Sequence, residues 1–223
     1  MERIFKEFKN GPYVTYLLLI IQVVIFGLMT LAGGSTNTNV LVFFGAKVNQ
    51  LIQMGEWWRL FTPMFLHIGL MHLAVNSVTL YYIGEQIEGV FGHWRFLVIY
   101  LLSGFTGNIA SFVFSPNLSA GSSTAIFGLF GAFFMLMEAF RNNQAIRAVG
   151  RQFGLFIVLN LAFDLFAPGI DLAGHVGGLL GGFLIANIVG VPRIGGTSRG
   201  RQIISLVIFI AMVGFFLNLG FNN

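Results

Sequence analysis

The sequence predicts an all-α membrane protein, a single bundle of seven spans, and three observations carry this prediction. Of the 223 residues, 56% are hydrophobic and only 9% are charged. A soluble domain carries about a quarter charged residues. The mean hydropathy is +0.83, and apolar runs of about 20 residues, the length that crosses a bilayer, recur along the chain. Soluble enzymes, nucleic-acid-binding proteins and disordered tails are thereby excluded.

Seven apolar runs are the predicted spans. The first, residues 13–32, is too long for a signal-peptide core, so we expect it to be retained. The others are residues 62–83, 94–114, 122–140, 152–166, 172–191 and 202–221. Connectors are short and rich in Gly, Pro, Asn or charge, which predicts one polytopic membrane domain over residues 1–223. Residues 39–59 mix bulky apolar and charged side chains, and we expect them to lie in the interface with Trp57 and Trp58 at headgroup level.

Lysines and arginines predict the orientation. Ten of the twelve lie in the amino-terminal segment and in the loops after spans two, four and six, and only Lys47 and Arg59 lie on the other side. The positive-inside rule therefore predicts a cytoplasmic amino terminus and, with seven spans, an outer carboxyl terminus. Compact length and short loops are compatible with a bacterial inner membrane. Spans two, four and six then begin at the outer face.

Two polar residues are expected at matched depth near that face. Ser123 starts span four and His175 lies near the start of span six. A serine hydroxyl needs an adjacent base to attack a carbonyl, and neutral imidazole suits that role near neutral pH. Free backbone N–H groups at a helix start can stabilise an oxyanion. The chain has no cysteine, which excludes a thiolate nucleophile.

Span two contains two further candidates. His72 and Asn76 are four residues apart, so they share one helical face. Neutral imidazole and a carboxamide both donate hydrogen bonds, which makes them candidate side chains of an oxyanion hole. His67 lies five residues before His72 and cannot share that face squarely if the helix extends so far.

Five segments, in this order, resemble the rhomboid family of intramembrane serine proteases. They are WRLFTPMFLHIGLMHLAVN, GEQIEGVFGHWRF, GSSTAIFG, FDLF and AGHVGGLLGG, and they cover most of residues 58–182. The resemblance implies a rhomboid-like helical bundle, with a six-helix catalytic core over about residues 13–191 and one additional carboxy-terminal span. It also implies a serine endopeptidase that cuts membrane-anchored, single-span proteins near the outer face, without a cofactor or metal.

The resemblance assigns roles to individual residues. It makes Ser123 the nucleophile, His175 the general base, and His72 with Asn76 the oxyanion-hole donors. Three positions would support them, namely Gly121 in the GxSG motif, Phe127 beneath the histidine ring, and His67, which matches a recurrent family histidine.

Two positions depart from the family pattern. Thr124 replaces the glycine that usually follows the nucleophile, and we expect its branched side chain to narrow the approach of substrate or to alter the backbone donors. Phe127 can pack against imidazole but cannot hydrogen-bond to it.

Several alternatives stay open. Ser119 and Ser122 compete with Ser123 as nucleophile, and Asp164 could orient His175 as a third member of a triad. A catalytically inactive rhomboid-like protein that binds transmembrane clients has Thr124 as its support. A small transporter would instead need ionisable groups through the bilayer centre. The four histidines form no HExxH motif.

Two other patterns are expected to be structural. Small residues continue along the face of span six that carries His175 and along span four, which predicts close helix packing with span four at the centre. A second cluster, on the cytoplasmic side, is expected to be a salt bridge or a helix cap and consists of Gly84, Glu88, Gly92 and Arg95.

Overall fold

A computed structural model describes residues 11–142, 144–166, 170–191 and 197–222. Regular structure in these residues is helical, with one isolated antiparallel bridge between Lys47 and Ser119. The long helices are α1 (Tyr13–Leu31), α4 (Gly69–Phe91), α5 (His93–Phe114), α6 (Ser123–Ala139), α7 (Gln144–Phe166), α8 (Leu172–Val189) and α9 (Arg199–Asn222). Within the described residues, four helices are long and apolar enough to cross a membrane: α1, α5, α8 and α9.

The predicted interfacial segment forms short elements between α1 and α4. They are α2 (Thr38–Phe43), α3 (Asn49–Gln53) and the 3-10 turns Trp57–Leu60 and Thr62–Phe65. Trp57 and Trp58 are exposed, as the interfacial assignment requires, but Lys47 and Arg59 are buried. Arg59 pairs with Glu56 and donates to two carbonyl oxygens of the same segment. Arg59 therefore holds the segment together from inside.

Five predicted spans begin and end within three residues of the corresponding helices. The second span was predicted wrongly at both ends. It was expected at residues 62–83, whereas α4 is Gly69–Phe91. The chain before α4 turns at Pro63 and is extended at Leu66, so the apolar run starts before the helix does. At the other end, a predicted connector continues the helix until Gly92, whose φ of +79° breaks it.

The fifth span was also predicted too short. It was expected at residues 152–166, whereas α7 is Gln144–Phe166. Residues 144–151, which their polar composition assigns to a connector, belong to the helix. Alanine, glutamine and arginine are strong helix formers, so the helix extends beyond its apolar part.

Helix α6 lies at the centre, as predicted, and every residue from Thr124 to Phe133 is buried. Its contact with α8 is made backbone to backbone. A Cβ on Gly182 would overlap the carbonyl oxygen of Gly128, and one on Gly178 would overlap that of Thr124. The small residues predicted to allow close packing therefore do so, and the two helices interlock.

A polar cluster links α1 to the carboxy-terminal end of α4. We call it the Glu88 cluster, and it consists of Val14, Thr15, Glu88 and His93. The buried Glu88 carboxylate accepts bonds from the backbone N–H groups of Val14 and Thr15 and from the Thr15 hydroxyl. His93 Nδ1 lies 2.5 Å from the same carboxylate. The expected helix cap is present, but Arg95 is not part of it and donates to the Val189 carbonyl oxygen.

Candidate active site

Ser123 and His175 lie in direct contact. Ser123 is the first residue of α6, and His175 lies in the first turn of α8. The distance between Ser123 Oγ and His175 Nε2 is 2.8 Å, which is a short hydrogen bond. Asp171 caps α8 by accepting a hydrogen bond from the Gly174 N–H at 3.0 Å. This cap fixes where the helix begins and therefore the position of His175. The structure thus brings together the two residues that the sequence predicted at matched depth.

Phe127 packs against the His175 ring. The two rings are stacked, with centroids 4.3 Å apart and planes at 11°. Phe127 follows Ser123 by about one helical turn, so it lies on the same face of α6. Stacking fixes the plane of the imidazole and keeps its Nε2 directed at the serine.

Gly121 lets the His72 ring lie close to Ser123. Its φ is +152°, a conformation that side chains disfavour. A Cβ there would lie 2.9 Å from His72 Nε2 and 3.5 Å from Ser123 Oγ. A side chain would therefore collide with the imidazole, and glycine allows the ring to lie beside the serine. The Ile68 N–H donates to His72 Nδ1 at 3.4 Å, so the neutral ring carries its proton on Nε2, the nitrogen that lies beside Gly121.

Asn76 follows His72 by one turn on the same face of α4. Its side chain is 6% exposed, and its Nδ2 has no hydrogen-bond partner among the described residues. A buried donor without a partner costs about 1–3 kcal/mol. Such a donor is available to an acceptor that the free protein lacks.

His67 is hydrogen-bonded to Ser122 and not to either of these donors. It precedes α4 and is fully buried, and its Nε2 lies 3.2 Å from Ser122 Oγ. Ser122 is therefore occupied behind the site, and Ser119 is paired with Lys47 in the isolated bridge. Among the three serines that the sequence left open, Ser123 is the one in contact with His175.

The Thr124 side chain lies away from the Ser123 hydroxyl. It is 2% exposed and packs between α5 and α8, where a Cβ on Gly107 would lie 2.7 Å from Thr124 Cβ. Its Oγ1 has no partner in the described part of the chain. The expectation that this side chain narrows the approach of substrate was therefore wrong, because helix packing turns it inward.

Lys47 supports the loop that leads to Ser123, and sequence reasoning missed it. Its Nζ donates to the carbonyl oxygens of Ser115 and Asn117, each at 2.8 Å. Burial lowers the pKa of Lys47 from 10.5 to about 8, and the Asp171 carboxylate opposes that shift. An amphipathic pattern indicates which residues are polar but not which loop carbonyls they will meet.

Two further expectations concern a third member of the triad and a metal site. The side chain of Asp164 lies outside the described residues. Within the described residues, no group of three or more His, Cys, Asp or Glu side chains could hold a metal ion.

Comparison with known families identifies the fold. The sequence model of the rhomboid domain matches residues 54–192, a range that contains α4 to α8 and the residues Ser123, His175, His72 and Asn76. The chain belongs to the rhomboid family. A rhomboid chain with apolar helices of this length is a multi-pass membrane protein.

Three curated relatives show how far the likeness extends. This rhomboid chain is 47% identical over 218 residues to Rhomboid protease GluP of Bacillus subtilis (strain 168), which covers 97% of this chain and 42% of that protein. It is 39% identical over 138 residues to Putative rhomboid protease YdcA of the same organism, covering 59% and 67%. RHOMBOID-like protein 4 of Arabidopsis thaliana is 36% identical over 162 residues, covering 70% and 40%. The chain thus spans less than half the length of GluP.

Proposed function

We propose that this chain is an intramembrane serine protease that hydrolyses a peptide bond in membrane-anchored, single-span proteins near the outer membrane face. The observation that carries the proposal is the 2.8 Å contact between Ser123 Oγ and His175 Nε2. His72 Nε2 lies nearby, against Gly121. The names of two relatives, Rhomboid protease GluP and Putative rhomboid protease YdcA, support the same reaction.

The residues suffice for acyl transfer. His175 Nε2 takes the hydroxyl proton as Ser123 Oγ attacks the scissile carbonyl, whose π electrons move onto oxygen. His72 Nε2–H and Asn76 Nδ2–H stabilise that oxyanion together with backbone N–H groups at the start of α6. His175 then donates its proton to the leaving amine as the C–N bond breaks. Water, deprotonated by His175, cleaves the acyl-enzyme ester and releases the acid and Ser123.

We propose for the architecture one membrane domain of seven spans over residues 1–223. A six-helix catalytic core covers about residues 13–191, and α9 is the additional span. The distribution of lysine and arginine supports a cytoplasmic amino terminus and an outer carboxyl terminus. The two Bacillus relatives support a bacterial plasma membrane. A reporter fused after Asn223 should read as external, and a cytoplasmic signal would overturn the seven-span count.

The nucleophile is tested by covalent labelling. Purified protein in detergent is incubated with a fluorophosphonate probe, and Ser123→Ala is compared with wild type. We expect labelling of wild type and none of the variant, because the probe reacts only with an activated serine. Ser103→Ala is the matched control, since it removes a buried hydroxyl remote from His175. Equal labelling of wild type and Ser123→Ala would exclude Ser123, and an unlabelled wild type would favour a client-binding protein.

The base is tested by histidine replacement. We expect His175→Ala to lower kcat on a model transmembrane substrate by about 10³-fold or more, because the serine then has no proton acceptor. His93→Ala removes a histidine in the Glu88 cluster and should leave kcat within about twofold at a temperature where it is folded. Cleavage by His175→Ala at the wild-type rate would defeat the dyad.

A further inference from the structure

Four fully buried polar side chains lie in a row behind Ser123. Gln22 Nε2 donates to the Tyr100 hydroxyl at 2.9 Å, and that hydroxyl lies beside the Ser122 side chain. Ser122 Oγ in turn lies 3.2 Å from His67 Nε2. All four side chains are 0% exposed. We call them the Gln22–His67 chain, and they join α1, α5, the residue before α6 and the segment before α4.

This chain has no role in local secondary structure. The Ser122 side chain makes no capping bond to α6, although that is the usual role of a serine at a helix start. Apolar side chains of the same shape could replace a buried hydrogen-bonded pair at little cost or with a gain in stability. Since packing alone does not require these polar groups, their positions call for another explanation.

The contact between Ser122 and His67 joins the residue before the nucleophile to the segment before α4. His67 Nδ1 has no hydrogen-bond partner among the described residues, so the bond to Ser122 is what orients the His67 ring. The His67 ring lies against the His72 ring, with centroids 5.4 Å apart and planes at 73°.

The two ends of this arrangement reach both halves of the proposed catalytic machinery. Ser122 shares a peptide bond with Ser123, and His67 packs on His72, whose Nε2 lies against Gly121. A bond between Ser122 and His67 therefore fixes the nucleophile relative to an oxyanion donor. Misplacement of reacting groups by about 1 Å can cost 10²-fold in rate.

We propose that Ser122 is a positioning residue, which through the Gln22–His67 chain sets the separation between Ser123 and His72. This inference rests on the proposed function. Ser122 touches no reacting atom in this role. Its loss should therefore slow the chemical step and leave substrate binding in place.

The first test compares two buried hydroxyls. Ser122→Ala should lower kcat and the rate constant of fluorophosphonate labelling about tenfold, with KM within about twofold of wild type. Ser103→Ala removes an equally buried hydroxyl that donates to the backbone carbonyl oxygen of Tyr100 and not to a side chain of the Gln22–His67 chain, and both rates should stay within about twofold. Equal rates for the two variants would overturn the inference, whereas failure of wild type to be labelled would count against the proposed function instead.

The second test measures coupling within the chain. Tyr100→Phe removes the hydroxyl that links Gln22 to Ser122. If the chain acts as a unit, the double variant with Ser122→Ala should lose little more labelling rate than Ser122→Ala alone. Rate losses that multiply in the double variant would show independent sites and would overturn the proposal.

The third test uses wild-type protein and needs no activity. The chain has four histidines, so ring-¹⁵N spectra in micelles contain few signals, and a His67→Gln variant assigns the signal of interest. We expect one His67 ring nitrogen to have the chemical shift of a hydrogen-bonded nitrogen and the other that of an unpaired one, because only Nε2 contacts Ser122. Shifts of two unpaired nitrogens in wild type would overturn the inference, even if Ser122→Ala failed to fold.

Discussion

A histidine lies in a polar cluster at each end of α4, but the two clusters differ in how many of their polar groups have a hydrogen-bond partner. In the Glu88 cluster, the carboxylate accepts two backbone N–H groups, a hydroxyl and the His93 ring. At the Ser123 site, the Asn76 Nδ2 has no partner among the described residues, and His72 Nε2 lies against Gly121 beside Ser123. A structural cluster satisfies its polar groups internally, whereas the proposed catalytic site keeps donors for a group that arrives later.

Among the substitutions that test this comparison, replacement of Asn76 should have the largest effect, and the effect should be on kcat. We expect Asn76→Ala to lower kcat by about 10²–10³-fold, the usual cost of removing one oxyanion donor. Stability should change little, because no bond to the Nδ2 is lost. Asn108→Ala is the matched control, since its buried amide donates to the Leu60 carbonyl oxygen at 3.0 Å. That variant should lose about 1–2 kcal/mol of unfolding free energy and keep its activity. Wild-type kcat in Asn76→Ala would remove this residue from the oxyanion hole.

Replacement of Glu88 should give the opposite result. Glu88→Gln keeps the shape but places an N–H₂ group among N–H donors, so we expect a loss of about 3 kcal/mol of unfolding free energy. Denaturant titration in detergent measures this loss, and kcat per folded molecule should remain within about twofold. Glu85→Gln alters a surface carboxylate that accepts from Tyr16 and should cost much less. If Glu88→Gln abolished cleavage without loss of stability, the two ends would not differ as described.

Replacement of Thr124 should have the smallest effect. Thr124→Val keeps the shape and removes a buried hydroxyl that lacks a partner in the described residues. Unfolding free energy should stay equal or rise by up to about 1 kcal/mol, and kcat should remain within about twofold of wild type. Thermal unfolding and initial cleavage rates measure the two quantities. A drop in kcat beyond tenfold would place the hydroxyl at the substrate after all.

The sequence predicted most of the fold because apolar runs report burial in lipid. It also predicted the neighbourhood of Ser123 and His175, since alternate spans begin at the same face. It failed at α4, where hydropathy cannot distinguish the apolar turn around Pro63 from the helix that follows Gly69. It failed at the start of α7 for the converse reason, because a polar segment can still be helical.

The hydrogen-bonded supports of the site could not be predicted in the same way. Gln22, Tyr100 and Ser122 come from distant parts of the chain, and each alone resembles an ordinary polar residue in or near a helix. Lys47 looks like a surface charge, and only the packed loop shows that its partners are carbonyl oxygens. Such contacts depend on how helices meet, and periodicity within one helix contains no information about that.

The glycine contacts between α6 and α8 have a consequence for control. Because Gly178 and Gly182 touch the backbone of α6 directly, neither helix can slide without collision, and Ser123 and His175 stay in register. Backbone contact therefore keeps the dyad of the proposed protease assembled. We expect control of its turnover to act on the access of substrate to Ser123 rather than on the distance between Ser123 and His175.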